Sequence, residues 1–297
     1  MDIAMLGISN AGKTSYVTAM YGEMSKASGL FSVRAQRQAD HQLLTRNASE
    51  LIRGKYPPLS DHRSVYGFTL HYERAPFLDF VWRDYRGGAL TELSDESAQA
   101  GQLRADLASA DGVVILIDST QLMDRVRART KLRPVIAAAV RVLTQRTTTT
   151  PVVIALTKWD LVSGRQGQVE AIAADVLGDL VGALHDSEHV HGCMVPIACG
   201  PESVNIELPV LWCIHIGVLE HFYTVAWEAQ MSEQRAAQAL GQRGVLKDFG
   251  KRLSGRPTAV EEGIIHLREA ALRRAYLEPI VEPAERLGAI FTDVLTF

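Results

Sequence analysis

Eight consecutive residues near the start, Gly7-Ile8-Ser9-Asn10-Ala11-Gly12-Lys13-Thr14, narrow the folds open to this chain more than any other feature. They satisfy GxxxxGK[ST] at every position, between a short apolar run at residues 3–6 and a helical pattern at residues 13–24. Glycines let successive backbone N–H groups converge on phosphate oxygens, and a helix starting beside them adds its positive dipole end. Lys13 is placed to neutralise β/γ-phosphate charge and Thr14 to ligate Mg²⁺. The candidate phosphate contacts are therefore Gly7, Ser9, Asn10, Ala11, Gly12, Lys13, Thr14 and Ser15, with Lys13 also a candidate catalytic group.

Downstream, apolar runs alternate with helical patterns, which is how an α/β sheet reads. Strand-like runs fall at residues 65–72, 77–82, 113–117, 152–156 and 194–198, and helical patterns at 43–52, 103–110, 122–143 and 169–184. From Pro209 onward only helices are expected, at 209–242, 257–276 and 280–295, the last two separated by Pro279 and Pro283.

The run at 77–82 leads into Arg83-Asp84-Tyr85-Arg86-Gly87-Gly88, which fits hhhhDxxG. An Asp at the carboxyl end of a strand can hold a water of the Mg²⁺ shell, and the Gly87 N–H can meet a γ-phosphate. Asp84 is favoured over Asp79, which lies inside the strand run. Farther on, residues 151–156 lead into Thr157-Lys158-Trp159-Asp160, which fits [NT]KxD. The Asp160 carboxylate can accept from guanine N1–H and the exocyclic amine together, whereas adenine offers no such donor pair. The stem of Lys158 can cover the base face.

These three motifs, in this order on alternating strands, resemble a TRAFAC-class P-loop GTPase over about residues 1–225. The resemblance implies a three-layer Ras-like α/β fold with a mainly parallel, six-stranded sheet and nucleotide at its carboxyl edge. It implies GTP and GDP as ligands, with Thr157, Lys158 and Asp160 at the base, and Mg²⁺ held by Thr14 and Asp84. The weakest motif of the family falls at Ala198-Cys199, where Ser-Ala is usual, and backbone N–H groups make the base contact there. Tyr56-Pro57-Pro58-Leu59-Ser60 is similar to a Pro-Pro-x-Thr element of bacterial GTPase-like proteins that also carry DYxGG. On that resemblance Ser60 supplies a third Mg²⁺ ligand, with Thr69 as its rival. Ras-like enzymes often place a water-orienting Gln after DxxG. Gly88 stands there, so Gly87 and Gly88 form a catalytic loop expected to hydrolyse slowly or to need a partner's arginine.

The expected organisation is a G domain at 1–228, with an insertion at about 25–65, followed by a helical extension at 229–297. The run from Leu208 to Trp227 is about one bilayer long. It contains His215, Glu220 and His221, so it reads as a core helix rather than a span. A net charge of −3 gives no general attraction to nucleic acid or anionic membrane. Three cysteines without CxxC spacing argue against a disulfide framework and for a cytoplasmic protein. The expected function is a regulatory GTPase acting on a protein partner through its switch loops or terminal helices, homo-oligomers included. The alternative is a hydrolysis-poor, GTP-dependent assembly module. An ATPase or small-molecule kinase shares only the phosphate loop, and Asp160 argues against both.

Overall fold

The structure is a computed structural model that describes residues 1–26, 29–58, 64–84, 98–241, 258–292 and 294–297. Eight strands form one sheet in the order β2-β3-β4-β1-β5-β6-β7-β8. The centre is β1 (Asp2–Leu6), β5 (Gly112–Asp118), β6 (Thr150–Thr157) and β7 (Val190–Pro196), all parallel to one another and to β4 (Ala75–Asp84). Every residue of β5 and β6 is buried. Continuous runs such as Val113 to Ile117 are what a strand covered on both faces requires. Helices α1 (Lys13–Met24), α2 (Gln38–Ile52), α3 (Ala98–Ser109), α4 (Arg125–Leu143), α5 (Gln166–Val176) and α6 (Gly178–His185) follow or connect these strands. The result is the three-layer P-loop fold with a mainly parallel sheet and a terminal helical extension.

Two strands go beyond the six expected. Within the stretch read as an insertion, β2 (Phe31–Ala35) pairs antiparallel with β3 (Ser64–Tyr72), and β3 pairs antiparallel with β4. Only Phe31 and Val33 of β2 carry the apolar alternation, too short a signal to separate strand from loop. At the other edge β8 (Leu295–Thr296), which begins at the last residue read as helical, pairs with β7. Two helical patterns also differ. Residues 169–184 divide at Leu177 into α5 and α6, although Leu177 itself keeps a right-handed helical conformation.

The break expected at Pro279 and Pro283 is absent: α8 (Ala259–Ala289) runs through both. Each proline removes one donor, leaving the carbonyls of Ala275 and Pro279 without their helical partners. The helix persists because its buried residues continue on one stripe, with Ala270 and Leu277 before the prolines and Ala284 and Leu287 after them.

The chain forms two compact units, Met1–Gly217 with Phe291–Phe297, and Val218–Ile290. In the first, the beginning of α7 (Leu208–Gly241) is core: Val210, Cys213 and Ile214 are fully buried. Trp212 donates its ring N–H to the His191 carbonyl of β7 (3.2 Å), and its ring meets that of Phe291 edge-on at 5.1 Å. Among the described residues α7 is the one helix long and apolar enough to cross a membrane.

The second unit is an antiparallel helical pair. His221 meets Tyr276, Glu228 accepts from Arg273 (3.1 Å), and Leu240 approaches Gly263, so positions rise along α7 as they fall along α8. Val218, Ala229, Ser232 and Ala236 are buried on α7, and Gly263, Ala270, Leu277 and Ala284 on α8. The buried positions fall three and four apart from Ala229 to Ala236 on α7 and seven apart on α8, the periodicity of a coiled-coil seam, and most of its residues are small. Thr258 caps α8 through a reciprocal box with Glu261.

Candidate functional site

The site lies where β1, β5 and β6 end. After β1 the chain turns back on itself, with the Ala11 N–H donating to the Ile8 carbonyl (3.2 Å), and α1 begins at Lys13. Gly12 makes the junction in the left-handed region (φ 89°), which a side chain would strain. Gly7 is confined differently: a Cβ there would lie 2.8 Å from the Leu116 carbonyl oxygen. Ser9 and Asn10 are exposed at the tip, Ala11 is buried, and Thr14 and Ser15 are half-buried on the first turn of α1.

The Lys13 ammonium is folded back into its own loop, donating to the carbonyls of Gly7 (2.8 Å) and Ile8 (3.1 Å). Burial lowers its pKa, and the nearby Asp84 carboxylate partly offsets this. Asp84, last residue of β4, accepts from the Thr14 hydroxyl (3.2 Å) through Oδ2. Its Oδ1 is buried without a hydrogen-bond partner among the described residues. Burial raises the Asp84 pKa to about 6 despite Lys13 and Thr14. An orphaned buried acceptor beside a threonine hydroxyl is a donor set that suits a hard divalent cation. Asp79 is occupied elsewhere, accepting from the Thr69 hydroxyl at 2.6 Å, which engages both rival residues with each other. Ser60, Arg86, Gly87 and Gly88 lie outside the described residues. Arg83 donates to Asp2.

Thr157, at the end of β6, joins the phosphate and base loops. Its hydroxyl is placed to donate to the carbonyls of Ala11 (2.9 Å) and Ile117 (3.3 Å). Lys158 follows in the left-handed region (φ 57°), its ammonium 2.6 Å from Asp118 Oδ2. The other oxygen of Asp118 accepts from the Thr120 N–H (3.0 Å) and hydroxyl (2.6 Å). The second base loop is held close by the Trp159 N–H on the Ile197 carbonyl (3.2 Å) and by reciprocal bonds between Ala198 and Val204 (3.1 Å). Ala198 and Cys199 are buried there, while Asp160 is exposed and so open to a ligand. The phosphate and base motifs, 146 residues apart in sequence, are thus joined by the Ala11–Thr157 bond.

Residues 4–151, just under half of the chain, match the model of the Double-GTPase 1 family. Over those residues the chain is similar to that family of GTPases. No curated protein matches the chain. Among solved structures it is similar to a GTP-binding protein from Sulfolobus solfataricus in complex with GDP, at 15% identity and a TM-score of 0.39, covering 70% of this chain and 49% of that one. A bacterial selenocysteine-specific elongation factor aligns at 16% identity and a TM-score of 0.39, covering 73% and 28%. The Arl6 BBS3 small GTPase from Trypanosoma brucei, with a bound nucleotide analogue, aligns at 14% identity and 0.40, covering 74% and 98%. The chain spans about half or less of the length of the first two.

Two further residues of the candidate site belong to none of the three motifs. Asp118 holds Lys158, and its only sequence signal is a charge ending a wholly apolar central strand. Tyr56, the first residue of the Pro-Pro element, brings its hydroxyl up to Gly200 of the second base loop.

Proposed function

We propose that the chain is a guanine-nucleotide switch that hydrolyses GTP with Mg²⁺, slowly unless a partner supplies the water-positioning group. The observation that supports the reading is the Thr157 hydroxyl bond to the Ala11 carbonyl, which joins the loop carrying Lys13 to the strand end that leads into Asp160. Lys13 would exchange its two loop carbonyls for β- and γ-phosphate oxygens, gaining charge compensation that a carbonyl does not provide. Thr14 and Asp84, with Ser60, would hold Mg²⁺, which neutralises charge developing on the phosphates. Asp160 would accept from guanine N1–H and its exocyclic amine, the Lys158 stem would cover the base, and the N–H groups of Ala198 and Cys199 would complete recognition. The Gly87 N–H would meet the γ-phosphate. Gly88 has no side chain with which to orient water.

Calorimetric titration of nucleotide-free protein with GTP, GDP and ATP, each with Mg²⁺, tests this directly. Tight binding of both guanine nucleotides and none of ATP is expected, and equal binding of ATP would overturn the reading. Slow phosphate release from GTP is the matching kinetic result.

A second reading is a GTP-dependent assembly module that scarcely turns over. It is favoured by Tyr223, Trp227, Ile264, Ile265, Leu272 and Tyr276, large side chains exposed on the helical pair. Light scattering that rises with GTP but not GDP, without phosphate release, would select it. Three free, buried cysteines support a cytoplasmic setting.

A further inference from the structure

No carboxylate side chain lies between Asp124 and Asp160, and the stretch that opens this run, Arg125 to Arg133, is basic at every second residue. In a chain of net charge −3 that is a local reversal of sign. The stretch folds as the first half of α4, and the helix sorts its cations into two sets. Ala128, Leu132, Val135, Ala139 and Leu143 form the buried stripe. Arg125 and Arg129 are taken up by Asp175 of α5, Arg125 meeting the two carboxylate oxygens at 2.6 Å each and Arg129 lying 3.1 Å from both. Arg127, Lys131, Arg133 and Arg141 are exposed, and their side chains have no ion-pair or hydrogen-bond partner among the described residues. With 3.6 residues per turn, Arg127 and Arg141 stand opposite the buried stripe, about 21 Å apart along the axis, with Lys131 and Arg133 on the two flanks between them. Thr130, Pro134 and Ala137 are the short side chains inside this frame, and the Thr130 hydroxyl is folded back onto the Val126 carbonyl (3.1 Å). Four cations thus surround a low floor.

We propose that the outward face of α4 docks an acidic α-helix of a partner protein, whose carboxylates meet Arg127, Lys131, Arg133 and Arg141. The short side chains of the floor let a second helix approach to an axis separation of about 8–10 Å. Arg127 and Lys131 are four residues apart, the spacing at which two carboxylates share one face of an opposing helix. Three of the four cations are guanidinium groups, whose planar forks take a carboxylate through two hydrogen bonds at once. Because none of the four is engaged by Asp175, docking breaks no ion pair within the chain. A broad polyanion, such as a membrane surface or a nucleic-acid duplex, suits the face less well. Helices α5 and α6, packed on α4, expose Glu170, Asp179 and Asp186, and an extended negative surface would be pressed toward these as well. A single helix, about 10–12 Å across, is narrow enough to cover the framed face alone.

Fluorescence anisotropy with the full chain and two labelled alanine-based helical peptides tests the docking. Both peptides carry the same number of glutamates, set four apart along one face in the first and spread around the helix in the second. The one-faced peptide should bind about tenfold more tightly than the spread one, and its binding should weaken steeply with added salt. Arg127→Ala/Arg141→Ala should weaken it about tenfold further, whereas Arg125→Ala, whose charge Asp175 already holds, should stay within about twofold of the natural protein. Far-UV circular dichroism shows that each variant keeps its fold, and the comparison of the two peptides needs no variant at all. Failure of the one-faced peptide to bind overturns the proposal, as does equal binding of the two peptides. An equal loss in Arg125→Ala and in the double variant does so too. Tighter binding to phosphatidylserine vesicles or to a DNA duplex than to the one-faced peptide replaces the acidic helix with a lipid or nucleic-acid partner and overturns it as well.

Discussion

Asp84 pays an electrostatic cost for standing ready beside the phosphate loop. Its folded pKa of about 6 lies above the ordinary 3.8, because burial disfavours the charged form more than Lys13 and Thr14 favour it. Between about pH 4 and pH 6 the folded, ligand-free protein keeps a proton that the unfolded chain has released, so stability falls as pH rises through that window and levels off above it. Asp84→Asn removes this dependence. It should stabilise the nucleotide-free protein at pH 7 by up to about 3 kcal/mol, the size of a two-unit shift. Thermal melts across pH 4 to 8 check the sign: a variant less stable than the natural protein at pH 7 contradicts it. The same substitution should abolish any Mg²⁺ dependence of nucleotide binding. Asp118 carries a complementary expectation. Its loss leaves Lys158 without its 2.6 Å partner in a left-handed backbone position. Asp118→Ala should therefore weaken GDP binding about tenfold while leaving the sheet intact, measured by calorimetry beside far-UV circular dichroism.

Among the elements, β6 and α8 show packing overriding local chemistry in different ways. At the end of β6 a β-branched threonine suits the strand, but its hydroxyl serves the loop of another strand and the carbonyl of a third. Thr157→Val keeps the shape and deletes both bonds. It should cost about 1–3 kcal/mol by leaving buried carbonyls less well satisfied, read as a lower urea midpoint with unchanged slope. In α8, Pro279 and Pro283 each cost hydrogen bonding that the buried stripe offsets. Pro279 is exposed and Pro283 is buried. Pro279→Ala should thus stabilise the helical pair by about 1–3 kcal/mol, toward the full interior penalty. Pro283→Ala should gain less, because it also removes packed atoms. Circular dichroism melts at 222 nm decide between gain and loss.

Across the whole molecule, stability should be unevenly held. The parallel centre, β1, β5 and β6, is buried on both faces, whereas the helical pair is joined along a narrow seam of small residues and exposes Tyr223, Trp227 and Leu272. Amide exchange should be slowest in β5 and β6 and markedly faster in residues 218–240. Uniform protection across both units would contradict that.

By itself the sequence determined what is local. Gly7 to Thr14 specified a strand, a phosphate loop and a helix start; the β-branched runs specified the central strands; and Thr157 to Asp160 marked the base loop. In each, the decisive neighbours lie within a few residues, so periodicity and motif spacing register them. Tertiary structure decided the pairings that cross the chain: the brief strands β2 and β8, which pair at the sheet edges; a helix carried through two prolines; the Asp118 grip on Lys158; and Tyr56 against Gly200. Their energy comes from contacts made only after distant segments meet, and neither partner's immediate neighbours record that meeting.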